Sequence, residues 1–300
     1  MAPGGYAWWY IDAISDDGGE ALTLIGFIGS VFSPYYAWAN AKAPAAPENY
    51  CAMNMVLYRP RGSLWAMTER PRGALARSER QLQIGRSFMR WEDGVLSASI
   101  DEITVPIPQR LRGTIKLSPQ SIQTQQFALD AAGRHRWQPI APRARIEVNF
   151  EKPKLSWQGT AYFDTNDGDA PLSRDFKNWH WSRSHRGANS RVLYHVHRRD
   201  GSAHEISLRI DRDGNALAVT PPPLQPLPKT LWRLPRQTYA DIGHNPTVIK
   251  NFEDAPFYSR ALIATYVDGL PVQAVYESLD LDRFDKNWVK CLLPFRMPRL

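Results

Sequence analysis

The sequence has few of the residues that cross-link a chain or hold structural metals. Its two cysteines, Cys51 and Cys291, lie far apart, and two thiols form neither a disulfide framework nor a zinc site. This scarcity is typical of a reducing compartment, so we expect a cytoplasmic protein. Residues 1–9 show no cationic segment followed by an apolar one, which argues against a secretory signal.

Long hydrophobic runs and common catalytic motifs are also missing. The longest apolar run, residues 21–32, contains threonine and two glycines and is shorter than the roughly 20 residues that a membrane span needs. The sequence has no phosphate-binding Gly-x-x-x-x-Gly-Lys, no Gly-x-Gly-x-x-Gly, no Gly-x-Ser-x-Gly and no His-Glu-x-x-His. We therefore expect neither an integral membrane protein nor a nucleotide-dependent enzyme, serine hydrolase or zinc protease of those types.

Positive charge is concentrated in one stretch. The formal net charge is +7. Residues 59–90, here called the arginine stretch, carry eight arginines and two acids, or 8 − 2 = +6. The arginines are Arg59, Arg61, Arg70, Arg72, Arg77, Arg80, Arg86 and Arg90. The stretch is either a solvated face or a surface that contacts anionic lipid. Zinc-finger spacing and basic helices with heptads are absent, so we expect no nucleic-acid partner.

Strand and turn signals dominate the chain. Asp-Gly, which favours tight hairpin turns, occurs at 17–18, 93–94, 167–168, 200–201, 213–214 and 268–269. Residues 145–150, 191–197 and 205–210 alternate in hydrophobicity, and only residues 282–289 resemble a short helix. These signals predict an all-β protein with antiparallel barrel or sandwich domains and few short helices. The turn-rich segment 166–174 predicts domains at 1–170 and 171–300.

Two pairs of functional side chains occur at i, i+2 spacing. His135 and Trp137 share a face if their segment is a strand, and so do Tyr162 and Asp164. If both faces point into a barrel, one cavity holds a carboxyl, an imidazole, an indole and a phenol. A buried carboxyl without a cationic partner stays protonated and can act as a general acid. The competing interpretation is ordinary packing with an exposed aspartate.

His195 and His197 form another i, i+2 pair. Two imidazoles on one strand face can bind a metal, but a third ligand is not apparent from the spacing. We therefore interpret both as surface or core histidines. The sequence around Trp179, His180 and Trp181 is likewise interpreted as structural packing.

Long matching strings make the chain similar to a known family. They are residues 3–10 (PGGYAWWY), 29–38 (GSVFSPYYAW), 65–70 (WAMTER), 127–142 (FALDAAGRHRWQPIAP), 253–258 (EDAPFY) and 293–298 (LPFRMP). With them the chain resembles the carotenoid 1,2-hydratases, also called hydroxyneurosporene synthases. The resemblance implies two lipocalin-like β domains and cofactor-free addition of water across the terminal C1=C2 bond of acyclic carotenoids such as neurosporene or lycopene. No cofactor or metal site is expected.

The resemblance also implies that His135, Trp137, Tyr162 and Asp164 are tied to activity. We expect Asp164 to protonate C2 and Trp137 to face the tertiary cation at C1. Tyr162 either faces that cation as well or donates a hydrogen bond to Asp164 that holds its orientation. Either His135 or the newly formed Asp164 carboxylate then accepts the proton of the attacking water. Asp12 and Asp167 are reserve candidates for the acid.

The substrate chemistry implies contact with a membrane, because an acyclic carotenoid resides in the bilayer. We expect a cytoplasmic enzyme that touches an anionic membrane surface peripherally, with the arginine stretch as its contact face. Two other functions stay open: a lipocalin-like carrier of hydrophobic ligands without chemistry, and a related polyene cyclase. Metal-dependent hydrolysis is a more distant alternative.

Overall fold

Strands make up 56% of the chain and helices only 11%, which confirms the all-β prediction. The computed structural model describes residues Met1–Leu300. It divides into two compact units, one made of Met1–Pro171 with Lys290–Leu300 and the other of Leu172–Val289. The predicted domains, 1–170 and 171–300, stay a prediction about folding units. In the structure, the C-terminal residues return to the first unit.

The first unit contains one large sheet that curls into a nearly closed barrel. Its strand order is β4-β3-β2-β1-β12-β11-β9-β8-β7-β6-β5, with β10 paired to β11. The strands are β1 (Tyr6–Ser15), β2 (Ala21–Ile28), β3 (Cys51–Tyr58), β4 (Leu64–Arg70), β5 (Leu75–Arg77), β6 (Gln81–Ile84), β7 (Ser87–Glu92), β8 (Val95–Ile103), β9 (Arg110–Pro119), β10 (Phe127–Ala128), β11 (His135–Lys152) and β12 (Leu155–Gly168).

The apolar core of this unit follows from strand alternation. Ile11 and Ala13 of β1 and Ala161 and Phe163 of β12 belong to one buried cluster, which also takes alternate residues of β2, β3, β8, β9 and β11. Successive side chains on a strand point to opposite faces. Every second residue of β1 and β12 therefore lies on the face turned away from this core.

The second unit contains a seven-stranded sheet and a two-stranded sheet. The larger has the order β16-β15-β14-β13-β21-β20-β19, and β17 pairs with β18. The strands are β13 (Phe176–Arg186), β14 (Asn189–Arg198), β15 (Ala203–Ile210), β16 (Ala216–Ala218), β17 (Leu224–Leu227), β18 (Arg236–Tyr239), β19 (Thr247–Asp254), β20 (Tyr258–Val267) and β21 (Leu270–Asp280).

The helices are few and short. They are α1 (Pro34–Lys42), α2 (Leu172–Asp175), α3 (Leu281–Phe284) and α4 (Asn287–Leu292), with 3₁₀ turns at Pro47–Asn49, Arg72–Ala74 and Leu293–Phe295. The single helix predicted over 282–289 is two short helices in the structure. None of the helices is both long and apolar enough to span a membrane.

Five of the six Asp-Gly pairs lie in turns between consecutive strands, as predicted. The sixth is an exception, because Asp167 and Gly168 are the last two residues of β12. Gly168 is needed for a different reason: a Cβ there would lie 2.5 Å from the Tyr6 ring and 2.8 Å from Nδ1 of His135. The close approach of these two rings, rather than a hairpin, requires glycine at this position.

Candidate active site

Three of the four predicted site residues meet on one face of the first sheet. Trp137 lies on β11 opposite Asn166 of β12, and Tyr162 and Asp164 lie on β12 on that same face. The Trp137 indole Nε1 and the Tyr162 hydroxyl both donate hydrogen bonds to Oδ2 of Asp164, each at 2.8 Å. All three side chains are buried, and Trp137 and Tyr162 are completely inaccessible.

Strand β1 adds a second carboxyl and a second phenol to this face. The antiparallel register places Tyr10 opposite Asp164, and Asp12 opposite Tyr162. The Tyr10 hydroxyl donates to Oδ2 of Asp12 at 3.2 Å, and its ring meets that of Tyr162 edge-on at 6.3 Å. Sequence reasoning named Asp12 only as a reserve and missed Tyr10. The i, i+2 spacing of these two residues is the signal that could have found them.

The site face is not the interior of the barrel core. Phe163 and Ala161 pack in the apolar cluster of the first unit. Tyr162 and Asp164 alternate with them and therefore point the other way. The supposition that this pair faces into the barrel is thus corrected: the pair shares a face, but that face is opposite the packed core.

Burial and negative charge keep Tyr162 in its protonated form. Burial raises the pKa of Tyr162 well above its ordinary value, and the charge and hydrogen bond of Asp164 in its carboxylate form, together with the charge of Asp12, raise it further. The phenol is therefore a hydrogen-bond donor throughout the neutral pH range.

The two donors also decide which carboxyl oxygen can hold a proton. Oδ2 of Asp164 accepts from both Trp137 and Tyr162, so a proton on the neutral acid belongs on Oδ1. Burial opposes the charged form of a carboxyl, whereas two donors favour it. Such a group can release its proton from Oδ1 and be stabilised at Oδ2 as the carboxylate forms.

His135 lies on the same face but further along. It pairs with Gly168 on β12, four residues beyond Asp164, which corresponds to roughly 13 Å along the strand. Its ring is completely buried, stacks on Tyr6, and its Nδ1 is 2.9 Å from the Tyr6 hydroxyl. The structure therefore places His135 beside Tyr6, two residues from Trp137 along β11 and further from Asp164.

The other reserve acid, Asp167, lies on the opposite face of β12 from Asp164, because the two are separated by an odd number of residues. Its carboxylate forms an ion pair with Arg136, which also pairs with Asp169. Asp167 is half-buried. This ion pair joins the neighbouring strands β11 and β12 and leaves Asp12 and Asp164 as the carboxyls of the site face.

The second unit gathers the histidines noted in the sequence. His195 and His197 of β14 have their Nε2 atoms 3.0 Å apart, and Nδ1 of His197 lies 2.8 Å from the Asn178 side-chain oxygen. His180 of β13 lies across from His195, with ring centroids 6.5 Å apart. No three His, Cys, Asp or Glu side chains are grouped so that they could hold a metal ion.

Comparisons with known proteins identify the family to which the chain belongs. A sequence model of the family described as carotenoid hydratase CrtC matches residues 24–300. The acyclic carotenoid 1,2-hydratase of Thiocapsa roseopersicina is 46% identical over 301 residues, covering all of this chain and 74% of that protein. Its counterpart in Cereibacter sphaeroides is 40% identical and covers 92% of this chain and 98% of that protein.

Solved structures are similar in fold at low sequence identity. CghA in complex with Sch210972 matches with a TM-score of 0.61 at 12% identity, over 93% of this chain and 89% of that one. Kievitone hydratase from Nectria haematococca matches with a TM-score of 0.57 at 10% identity, over 94% and 90%. The fold is thus shared more widely than the sequence, and the sequence identifies the family: this chain belongs to the CrtC family of carotenoid hydratases.

Proposed function

We propose that this protein is an acyclic carotenoid 1,2-hydratase, which adds water across the terminal C1=C2 bond of carotenoids such as neurosporene or lycopene. The named activity of its relatives supports this proposal. The observation that carries it is the buried Asp164, whose Oδ2 accepts from both Trp137 and Tyr162. An isolated alkene is a weak base, so its hydration needs an acid held in a dry place and a conjugate base that is stabilised as it forms.

The first step is proton transfer from Asp164 to C2. The O–H bond at Oδ1 breaks, the π electrons form the new C2–H bond, and a tertiary cation develops at C1. Trp137 and Tyr162 stabilise the carboxylate through their hydrogen bonds to Oδ2. Because these donors lie in a buried site, their effect on the developing charge is larger than it would be in water.

The cation at C1 is stabilised by aromatic rings. Phe127 lies against Trp137 with ring centroids 5.6 Å apart, and Tyr10 lies edge-on to Tyr162. Ring faces attract a cation by about 0.5 to 2 kcal/mol each, and most strongly where water is excluded. This stabilisation acts on the transition state and not on the neutral polyene, which is the requirement for catalysis.

Water then attacks C1, and one of its protons goes to a base. The Asp164 carboxylate fits this role best because it lies at the reacting carbons and regains its acid form, which closes the cycle with a net gain of one water. His135 is further along the strand, so we assign it to the lining of the site with Tyr6. No cofactor takes part in these steps.

Product analysis tests the proposed activity. The purified protein is incubated separately with neurosporene and lycopene, and the products are analysed by mass spectrometry. A mass gain of one water per reacted end supports the hydratase. Recovery of unchanged carotenoid bound to the protein would indicate a carrier, and an isomer of unchanged mass would indicate a cyclase.

We also propose that the arginine stretch contacts an anionic membrane surface peripherally. Six of its eight arginines are exposed. They are Arg61, Arg72, Arg77, Arg80, Arg86 and Arg90. Each basic residue near an anionic surface contributes about 1 kcal/mol, so the set is large enough to hold a protein reversibly at the bilayer where the substrate resides.

Vesicle flotation tests this contact. The triple variant Arg61→Glu, Arg72→Glu and Arg86→Glu is expected to lose binding to vesicles that contain phosphatidylglycerol while it keeps activity on detergent-dispersed lycopene. Arg212→Glu, at an exposed position of the second unit, serves as the control for a charge reversal outside the stretch. Unchanged flotation of the triple variant would contradict the proposal.

A further inference from the structure

The first unit contains a pocket that the proposed reaction does not use. Its volume is about 320 Å³, at the lower end of the range typical of small-molecule sites. Buried or half-buried apolar side chains form its floor: Trp9, Leu82, Met89, Leu96 and Phe163. The floor is therefore suited to an aliphatic chain.

This pocket lies on the other side of the sheet from the candidate active site. Trp9 alternates with Tyr10 along β1, and Phe163 alternates with Asp164 along β12. Successive residues of a strand point to opposite faces. A ligand in the pocket therefore contacts the core face of the barrel and is separated from Asp164 by the sheet itself.

The rim of the pocket is positively charged. Arg77 and Arg80 line it, with Glu79 as the acidic residue between them. The Arg77 guanidinium stands over the Trp9 ring at 5.7 Å. Arg90 donates from Nε to the side-chain oxygen of Gln81, another lining residue, at 2.8 Å. Cationic side chains thus stand at the mouth of an apolar floor.

We propose that this pocket binds a single long-chain fatty carboxylate. Its aliphatic chain lies on the floor between Trp9 and Phe163, and its carboxylate pairs with Arg77 and Arg80. Guanidinium groups bind carboxylates through paired, charge-assisted hydrogen bonds. An acyclic carotenoid satisfies the floor equally well but has no anion for the rim, and the arginines therefore select a charged amphiphile.

Titration with hexadecanoate, below its micellar concentration, tests the proposal. Native protein is expected to bind one equivalent saturably. The double variant Arg77→Glu and Arg80→Glu should bind at least tenfold more weakly. Arg61→Glu is the matched control, because Arg61 is an exposed arginine of the same stretch that does not line the pocket. It should bind like the native protein.

Two further measurements show whether the carboxylate is needed for binding and whether the pocket is separate from the proposed active site. Hexadecanol has the same chain without the charge, and it should bind more weakly than hexadecanoate to native protein and equally to native and double variant. Binding should also persist in Asp164→Asn, whether or not that variant retains turnover, which separates this site from the proposed active site.

Three results would overturn the proposal. They are the absence of saturable binding, an equal loss with Arg61→Glu, and hexadecanoate binding that the double variant leaves unchanged. The second would mean general electrostatic attraction, and the third would place the fatty acid elsewhere. Flotation of the double variant on phosphatidylglycerol vesicles is measured in parallel. If the double variant no longer floats with the vesicles but still binds hexadecanoate, Arg77 and Arg80 serve membrane contact alone.

Discussion

Each of the two units buries a polar cluster among antiparallel strands, and the two clusters differ in kind. In the first unit, Asp164 accepts hydrogen bonds from an indole and a phenol. In the second unit, His180, His195 and His197 lie near one another, and Nδ1 of His180 is 2.9 Å from the Tyr276 hydroxyl. One cluster is built on a carboxyl and the other on imidazoles.

The difference lies in which protonation state burial favours. Burial, together with the charges of His195 and His197, lowers the pKa of His180 to about 3, and burial likewise lowers the pKa of His195. Burial therefore deprotonates an imidazole, whereas it favours the protonated form of a carboxyl. His180 is therefore a neutral imidazole at neutral pH, whereas a buried carboxyl is the kind of group suited to protonating an alkene.

The largest expected effect comes from removing that proton. Asp164→Asn preserves the size of the side chain and an oxygen that can accept from Trp137 and Tyr162, but it has no acidic hydrogen. We expect kcat on lycopene to fall about 10²- to 10⁴-fold, the contribution typical of a general acid. Product formation under initial-rate conditions measures it, with a thermal melt to verify folding.

His180→Gln is the matched variant in the other cluster. It exchanges a buried neutral imidazole for a side chain that can still hydrogen bond, and turnover should stay within about threefold of the native value, since no proton transfer is assigned there. A loss as large as that of Asp164→Asn would break the distinction between the clusters. Near-normal turnover of Asp164→Asn would remove the acid assignment.

The sequence could predict which site residues lie on the same face of a strand, because this depends only on local geometry. Alternation alone places Tyr162 with Asp164, and His135 with Trp137. Which residues of neighbouring strands lie side by side depends on the register, and the register is set by how the strands pair. Local spacing does not show that Tyr10 lies opposite Asp164, or that register shifts in β11 occur between Gln138 and Ala144.

The side of the sheet on which Asp164 lies could not be predicted, for a related reason. A strand buried on both sides gives no polar-out pattern, and β12 has Phe163 in the apolar core with Asp164 buried on the reverse face. Sequence therefore places Asp164 on one face with Tyr162, but it shows neither that this face is buried nor on which side of the sheet it lies. The long separation between His135 and Asp164 follows from the same register.

An intermediate effect is expected in the pH dependence of stability. His180 has a pKa of about 3 in the folded protein and about 6.5 when unfolded. Below pH 6.5 the unfolded chain binds the extra proton, so stability falls as pH falls. From pH 7 to pH 5 this group alone removes about 2 kcal/mol from the free energy of unfolding.

Urea unfolding of native protein and His180→Gln at both pH values measures this effect. The variant should lose less stability than the native protein between pH 7 and pH 5. Burial raises the pKa of Glu69 and of Glu102, which acts in the opposite direction, so the difference between the two proteins is the quantity to compare. His244→Gln, at an exposed position, should behave like the native protein.

A loss of turnover smaller than that of Asp164→Asn separates the two phenols of the carboxyl cluster. Tyr162 donates to Asp164 at 2.8 Å, whereas Tyr10 donates to Asp12 at 3.2 Å. Tyr162→Phe removes one of the two donors that stabilise the carboxylate formed when Asp164 releases its proton. A hydrogen bond to a charged group contributes about 1.5 to 3 kcal/mol, so kcat should fall at least tenfold while Trp137 still supports the acid. Tyr10→Phe removes a phenol hydroxyl that donates to Asp12 on the neighbouring strand, and kcat should fall less than threefold. Equal losses in the two variants would mean that both phenols serve packing of the site face, and that the carboxylate does not depend on its second donor.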